Sequence, residues 1–107
     1  MNQNRPWGEF ITLQQEDLYQ VNVIKMNPKE LSNKHYHKLS CETYIIVSGQ
    51  ALLYIDNERI ILKPENTVQI PRNISHSIKC ISDEPLCFIE VKIGSYFGPD
   101  DTYREWY

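Results

Sequence analysis

Short runs of alternating apolar and polar residues fill this chain, and turn-forming residues interrupt them about every eight to twelve positions. Tyr19–Met26 alternates imperfectly and is rich in valine and isoleucine, which suits a strand. In Glu42–Ser48 the residues Thr43, Ile45 and Val47 fall on one face, with Glu42, Tyr44, Ile46 and Ser48 on the other. Ala51–Ile55 and Arg59–Leu62 flank Asp56-Asn57-Glu58 and read as a hairpin. Phe10–Leu13, Thr67–Ile70, Ser77–Ile81 and Leu86–Ile93 supply further strands, and Leu31–His37 supplies an edge. The polar start, Met1–Asn4, is expected to be loose, and Arg5-Pro6-Trp7-Gly8 to form a rigid turn with an aromatic anchor. Pro99–Tyr107, acidic and aromatic, is expected to hold one short helical turn. No longer segment shows a 3.6-residue period. The pattern predicts an all-β, small antiparallel jelly-roll barrel.

Composition narrows this little. A chain of 107 residues makes one domain, 1–107. A formal charge of −3 offers no basic field for nucleic acid. No apolar run approaches the ~20 residues that cross a membrane, and no signal-peptide pattern opens the chain. Three cysteines, Cys41, Cys80 and Cys87, lack metal-type spacing and read as free thiols in a reducing cytoplasm.

The chemistry concentrates in two stretches that hold all three histidines. His35 and His37 alternate onto one face with Tyr36 opposed, and His76 follows the turn Pro71–Ser75. Two imidazoles on one face can grip a divalent ion, and His76 with Glu42 would complete a set of three nitrogens and one oxygen. From His37 to Glu42 is an odd step, so a bulge or turn around Lys38–Ser40 must restore the facing. Glu90 and Lys92 share a face with Phe88, while Cys87, Ile89, Val91 and Ile93 share the other. If the apolar set packs in a core layer, Glu90 and Lys92 line a cavity. Otherwise they face water.

The run of His35, His37, Glu42 and Gly49, followed by Pro71 and His76, resembles the paired motifs of the cupin superfamily. Arg5-Pro6-Trp7-Gly8, Ile46–Ala51, Ile89-Glu90-Val91 and Gly94–Gly98 with Asp100, Asp101 and Arg104 resemble the type II mannose-6-phosphate isomerase cupin over nearly the whole chain. That module commonly forms the C-terminal part of mannose-1-phosphate guanylyltransferases. The nucleotidyltransferase half is absent here, so a stand-alone isomerase-like module is expected. The resemblance implies aldose–ketose isomerisation of mannose 6-phosphate or a related sugar phosphate. It implies zinc, with manganese, iron, nickel or cobalt as alternatives, and a homodimer. Glu90 and Lys92 are then the candidate acid and base. Arg104, which matches the family's tail, and Lys38 and Arg5 are candidate cations for a phosphate, and Tyr44, on the face of Glu42, is a candidate contact for a substrate hydroxyl. Lys38 stands where the family has arginine, Asn22 where it has lysine, and Lys29 where it has glycine. A dioxygenase-type cupin or a non-catalytic sugar-binding cupin are the alternative readings.

Overall fold

The computed structural model describes residues 2–105. Trp106, read as a second aromatic anchor, lies outside the described residues. Among the described residues eleven strands are formed: β1 (Asn2–Arg5), β2 (Gly8–Gln15), β3 (Tyr19–Met26), β4 (His35–Tyr36), β5 (Ser40–Ser48), β6 (Ala51–Ile55), β7 (Glu58–Leu62), β8 (Thr67–Ile70), β9 (His76–Cys80), β10 (Leu86–Gly94) and β11 (Tyr103–Arg104). One 3-10 turn, Pro99–Asp101, precedes β11.

The strands pair into a six-stranded sheet, β1-β2-β3-β10-β5-β8, and a five-stranded sheet, β11-β4-β9-β6-β7, antiparallel throughout. From β3 onward the chain crosses from sheet to sheet, with β6-β7 as the one hairpin within a sheet. That alternation is a jelly roll. The two sheets enclose the core face to face.

The core shows why these residues sit where they do. Reading across the six-stranded sheet in register, the inward rows are Met26–Leu86, Ile24–Phe88–Ile46, Asn22–Glu90–Tyr44 and Gln20–Lys92–Glu42. The first two rows are apolar and pack against Leu53, Ile78 and Leu62 of the other sheet. The last two are polar yet buried. The interior therefore has an apolar end and a polar end. Gly49, at φ +78°, makes the tight turn from β5 to β6, where a Cβ would lie 2.6 Å from the Pro85 carbonyl oxygen.

Two local expectations are corrected. Within the stretch expected to be loose, Asn2–Asn4 belong to β1, because a two-residue turn at Pro6-Trp7 folds that strand against β2. Trp7 is half-buried against the core, as an anchor should be. The expected strand over Leu31–His37 shrinks to the two residues of β4, with Leu31 making one isolated bridge to Lys79.

Candidate metal centre

The odd step from His37 to Glu42 is resolved by a change of sheet. β4 belongs to the five-stranded sheet and β5 to the six-stranded one, and the turn at Lys38-Leu39 carries the chain between them. His37 and Glu42 then face each other across the interior. His76 opens β9 directly opposite His35. One ligand atom from each of His35, His37, Glu42 and His76 lies within 4.8 Å of every other.

Each imidazole is oriented by main chain. His35 Nδ1 lies 2.8 Å from the Asn33 carbonyl oxygen, His37 Nδ1 3.0 Å from that of Asp101, and His76 Nδ1 3.1 Å from that of Ile74. A carbonyl only accepts, so Nδ1 carries the hydrogen and Nε2 is left as a donor of electrons. His37 Nε2 approaches Glu42 Oε1 to 2.7 Å, and His76 Nε2 approaches Glu42 Oε2 to 3.2 Å. Even so, Glu42 Oε1 and His76 Nε2 are buried without a partner of hydrogen-bond geometry. Lone pairs converging on a carboxylate are the arrangement a divalent cation satisfies, so the residues fit a metal.

Electrostatics agree. Burial, with help from His76, pushes His35 down to about 4, which keeps it a neutral ligand. Burial raises Glu42, but the imidazoles of His37 and His76 outweigh it and hold the carboxyl well below its ordinary range. Burial lowers His76, and Glu42 beside it more than reverses this, raising its pKa. The buried Tyr44 hydroxyl donates to Glu42 Oε2 at 2.7 Å. Desolvation first, then the charge of Glu42, pushes Tyr44 well above its ordinary pKa, so it remains a donor.

Behind the cluster of His35, His37, Glu42 and His76 stands a polar floor. Glu90 and Lys92 point inward, 6% and 9% exposed, and so line the interior rather than facing water. Asn22 Nδ2 donates to Glu90 Oε1 at 2.9 Å, and Thr12 Oγ1 donates to Asn22 Oδ1 at 2.8 Å. Burial, then the neighbouring Glu42, pushes Glu90 up to about 7 against the pull of Lys92 and Asn22.

The other sequence candidates separate. Arg104 is exposed and pairs in register with His35, so both leave the sheet on the same face beside the centre. Its acidic neighbours have other partners: Tyr96 donates to Asp100, and Asp101 accepts from the turn that carries Lys38. The Lys38 ammonium lies 4.5 Å over the Tyr103 ring, which stacks on Tyr36 on the outer side of β4. Arg5 sits at the apolar end, in register through Gly8 with Met26, and donates to Gln3.

Three groups around the cluster escaped the sequence. Ser40 Oγ is buried without a partner on the face of Glu42. Asn22 was visible only as a departure from the family, not as the holder of Glu90. Asp101 is buried, accepts from Leu39 N–H at 2.9 Å and Lys38 N–H at 3.3 Å, and offers its carbonyl to His37. Asp101→Ala is expected to cost about 1–3 kcal/mol by stripping two backbone donors. Divalent-metal affinity should fall about 10–100-fold as His37 loosens. Urea melts and metal titration check both. Unchanged metal affinity would remove Asp101 from the site.

The family model for the C-terminal domain of mannose-6-phosphate isomerase matches residues 1–105. The chain belongs to this family. The mannose-1-phosphate guanylyltransferase of Salmonella montevideo is 36% identical over 102 residues, which are 94% of this chain and 21% of that protein. The chain thus spans about a fifth of the length of the curated relatives it matches. Among solved structures, the capsular polysaccharide assembling protein CapF of Staphylococcus aureus superposes with a TM-score of 0.83 at 24% identity, covering 96% of this chain and 31% of that one. The Cnp3 cupin domain of Schizosaccharomyces pombe gives 0.78 at 18% identity, covering 80% and 64%. These likenesses establish the cupin fold. Among the described residues no helix is long and apolar enough to cross a membrane.

Proposed function

We propose that this cupin isomerises a phosphorylated aldose to its ketose, with mannose 6-phosphate or a close relative as substrate. The observation that carries the reading is a buried carboxyl raised to about 7, Glu90, on the same inner face as a metal-ligating carboxylate, Glu42, in a family named for that activity. A divalent ion held by His35, His37, Glu42 and His76, zinc first among the candidates, would supply Lewis-acid polarisation of the sugar oxygens.

The chain's own residues do the rest. Isomerisation moves one proton from C2 to C1 and exchanges another between O2 and O1. Glu90, poised near neutrality and fixed by Asn22, takes the carbon-bound proton and returns it. Lys92, inward-facing in the next row, gives a proton to O1 and recovers the one from O2. The unpartnered Ser40 hydroxyl supplies a contact for a sugar hydroxyl. Arg104, exposed beside His35, is the cation placed to meet the phosphate. Lys38 and Arg5 are the weaker choices, because one covers Tyr103 and the other stands at the far end of the sheet. The three free cysteines fit a reducing, cytoplasmic setting.

Incubation of the zinc-loaded chain with mannose 6-phosphate should yield fructose 6-phosphate until equilibrium is reached. Absence of product from a panel of sugar phosphates, with the ion bound, would leave a binding cupin. Oxygen uptake by an iron-loaded sample would indicate a dioxygenase instead.

A further inference from the structure

Two carboxyl groups share the polar inner face, and each is held by a different neighbour. Asn22 donates to Glu90. Tyr44, two residues along β5 from Glu42 and on the same face, donates to Glu42 Oε2 at 2.7 Å. Tyr44 stands in register with Glu90, yet its hydroxyl goes to Glu42. One holder is a phenol and the other an amide, and the two carboxyl groups do not share them.

The tyrosine is closed in. It is 3% exposed. Its ring tilts against Phe88, 4.7 Å between centroids, and meets His76 edge-on at 6.2 Å. A phenol has one proton to donate, and here that proton lies in the bond to Glu42. Both facts count against the contact with a substrate hydroxyl that its place on the face of Glu42 suggested.

The same bond makes the two oxygens of Glu42 unequal. Oε2 accepts from the phenol and lies 3.2 Å from His76 Nε2. Oε1 lies 2.7 Å from His37 Nε2 and is buried without a partner of hydrogen-bond geometry. Hydrogen bonds to a charged oxygen are short and about twice as strong as neutral ones. With Oε2 pinned, the carboxylate plane is set, and Oε1 keeps lone pairs free for a cation.

We propose that Tyr44 is a positioning residue for the Glu42 carboxylate: it pins Oε2, so that Oε1 is the oxygen offered to a divalent ion, and it does not touch substrate. The inference rests on the reading of His35, His37, Glu42 and His76 as a metal centre. It does not depend on which sugar, if any, the site turns over. Outer partners that orient a ligand in this way typically set metal affinity by about 10–100-fold.

Tyr44→Phe removes the hydroxyl and keeps the ring against Phe88. Zinc titration should show affinity about 10–100-fold weaker than wild type. Loaded with cobalt(II), the variant should show a changed visible absorption spectrum, because a released carboxylate can offer both oxygens. Ile46→Val trims the next inward position of β5 without touching the carboxylate. It should lower the melting temperature yet keep wild-type zinc affinity and the wild-type cobalt spectrum. At saturating zinc, KM for mannose 6-phosphate should be the same in Tyr44→Phe and wild type. Wild-type zinc affinity and an unchanged cobalt spectrum in Tyr44→Phe would overturn the proposal while leaving the metal centre standing. Equal losses of affinity in Ile46→Val would overturn it too, by reducing Tyr44 to packing. A raised KM beside wild-type zinc affinity would make Tyr44 a substrate contact instead. A wild-type chain that takes up no zinc or cobalt would remove the metal centre and this role together.

Discussion

His76→Ala is expected to abolish stoichiometric retention of a divalent metal and to lower thermal stability. His76 supplies one of the three Nε2 atoms converging on Glu42, and its own Nε2 is buried without a hydrogen-bond partner. Removing it leaves the Glu42 carboxylate, itself buried, with one imidazole fewer. Deleting one partner of a buried charge typically costs about 3–5 kcal/mol. The variant also forfeits stabilisation by bound metal, about 2.7 kcal/mol when the ion is present at 100 times its dissociation constant. Elemental analysis after gel filtration, with melting curves with and without added zinc, measures both losses. A variant with wild-type metal content would refute the ligand set.

The pH dependence of that affinity has a definite sign. Glu42 holds the His76 pKa above its ordinary value against burial, so the bare imidazole keeps its proton to higher pH. Metal must displace that proton, so affinity should fall as pH drops through the raised value and recover above it.

Glu90→Gln is expected to reduce turnover about 10²–10⁴-fold while leaving metal content intact. The amide oxygen can still accept from Asn22, so the wall of the site keeps its shape and only the proton carrier is lost. In the wild type, kcat/KM should rise with pH through an acid limb near or below 7, because the base works unprotonated and metal neutralises the Glu42 charge that raises it. That limb should vanish from the residual rate of the variant. Stability carries the opposite sign. A carboxyl whose folded pKa lies above 4.5 favours the fold when neutral, so its contribution declines as pH rises from about 4.5 to 7. The glutamine variant should lose that decline. Full activity in Glu90→Gln would take Glu90 out of the mechanism.

Much of this architecture could be read from residue order, for identifiable reasons. Tyr19–Met26, Ala51–Ile55 and Thr67–Ile70 coincide with β3, β6 and β8, since side chains there alternate between a core and a second face. The convergence of three histidines and Glu42 was legible through the likeness of their order to the paired cupin motifs, and the four groups do meet. Strand β1 was not legible: it is a polar edge whose partner, rather than its own pattern, makes it a strand. The route from His37 to Glu42 called for a turn, but parity along one strand does not reveal a change of sheet. Lys29, where the family has glycine, does adopt a left-handed conformation at φ 71°, so that departure marked a backbone demand that persists. Asp101 stood in the sequence only as part of a family motif; its partners are backbone N–H groups some sixty positions away, a contact that no local window contains.

The carbonyls that fix the three imidazoles belong to Asn33, Ile74 and Asp101, and carbonyls are common to every amino acid. Residues 33 and 74 are therefore open to mutational drift: selection there acts on the path of the chain and is nearly blind to the side chain. Related sequences can diverge at both positions while their histidines keep the same tautomer, so the side chains found there carry no information on whether the cluster is intact.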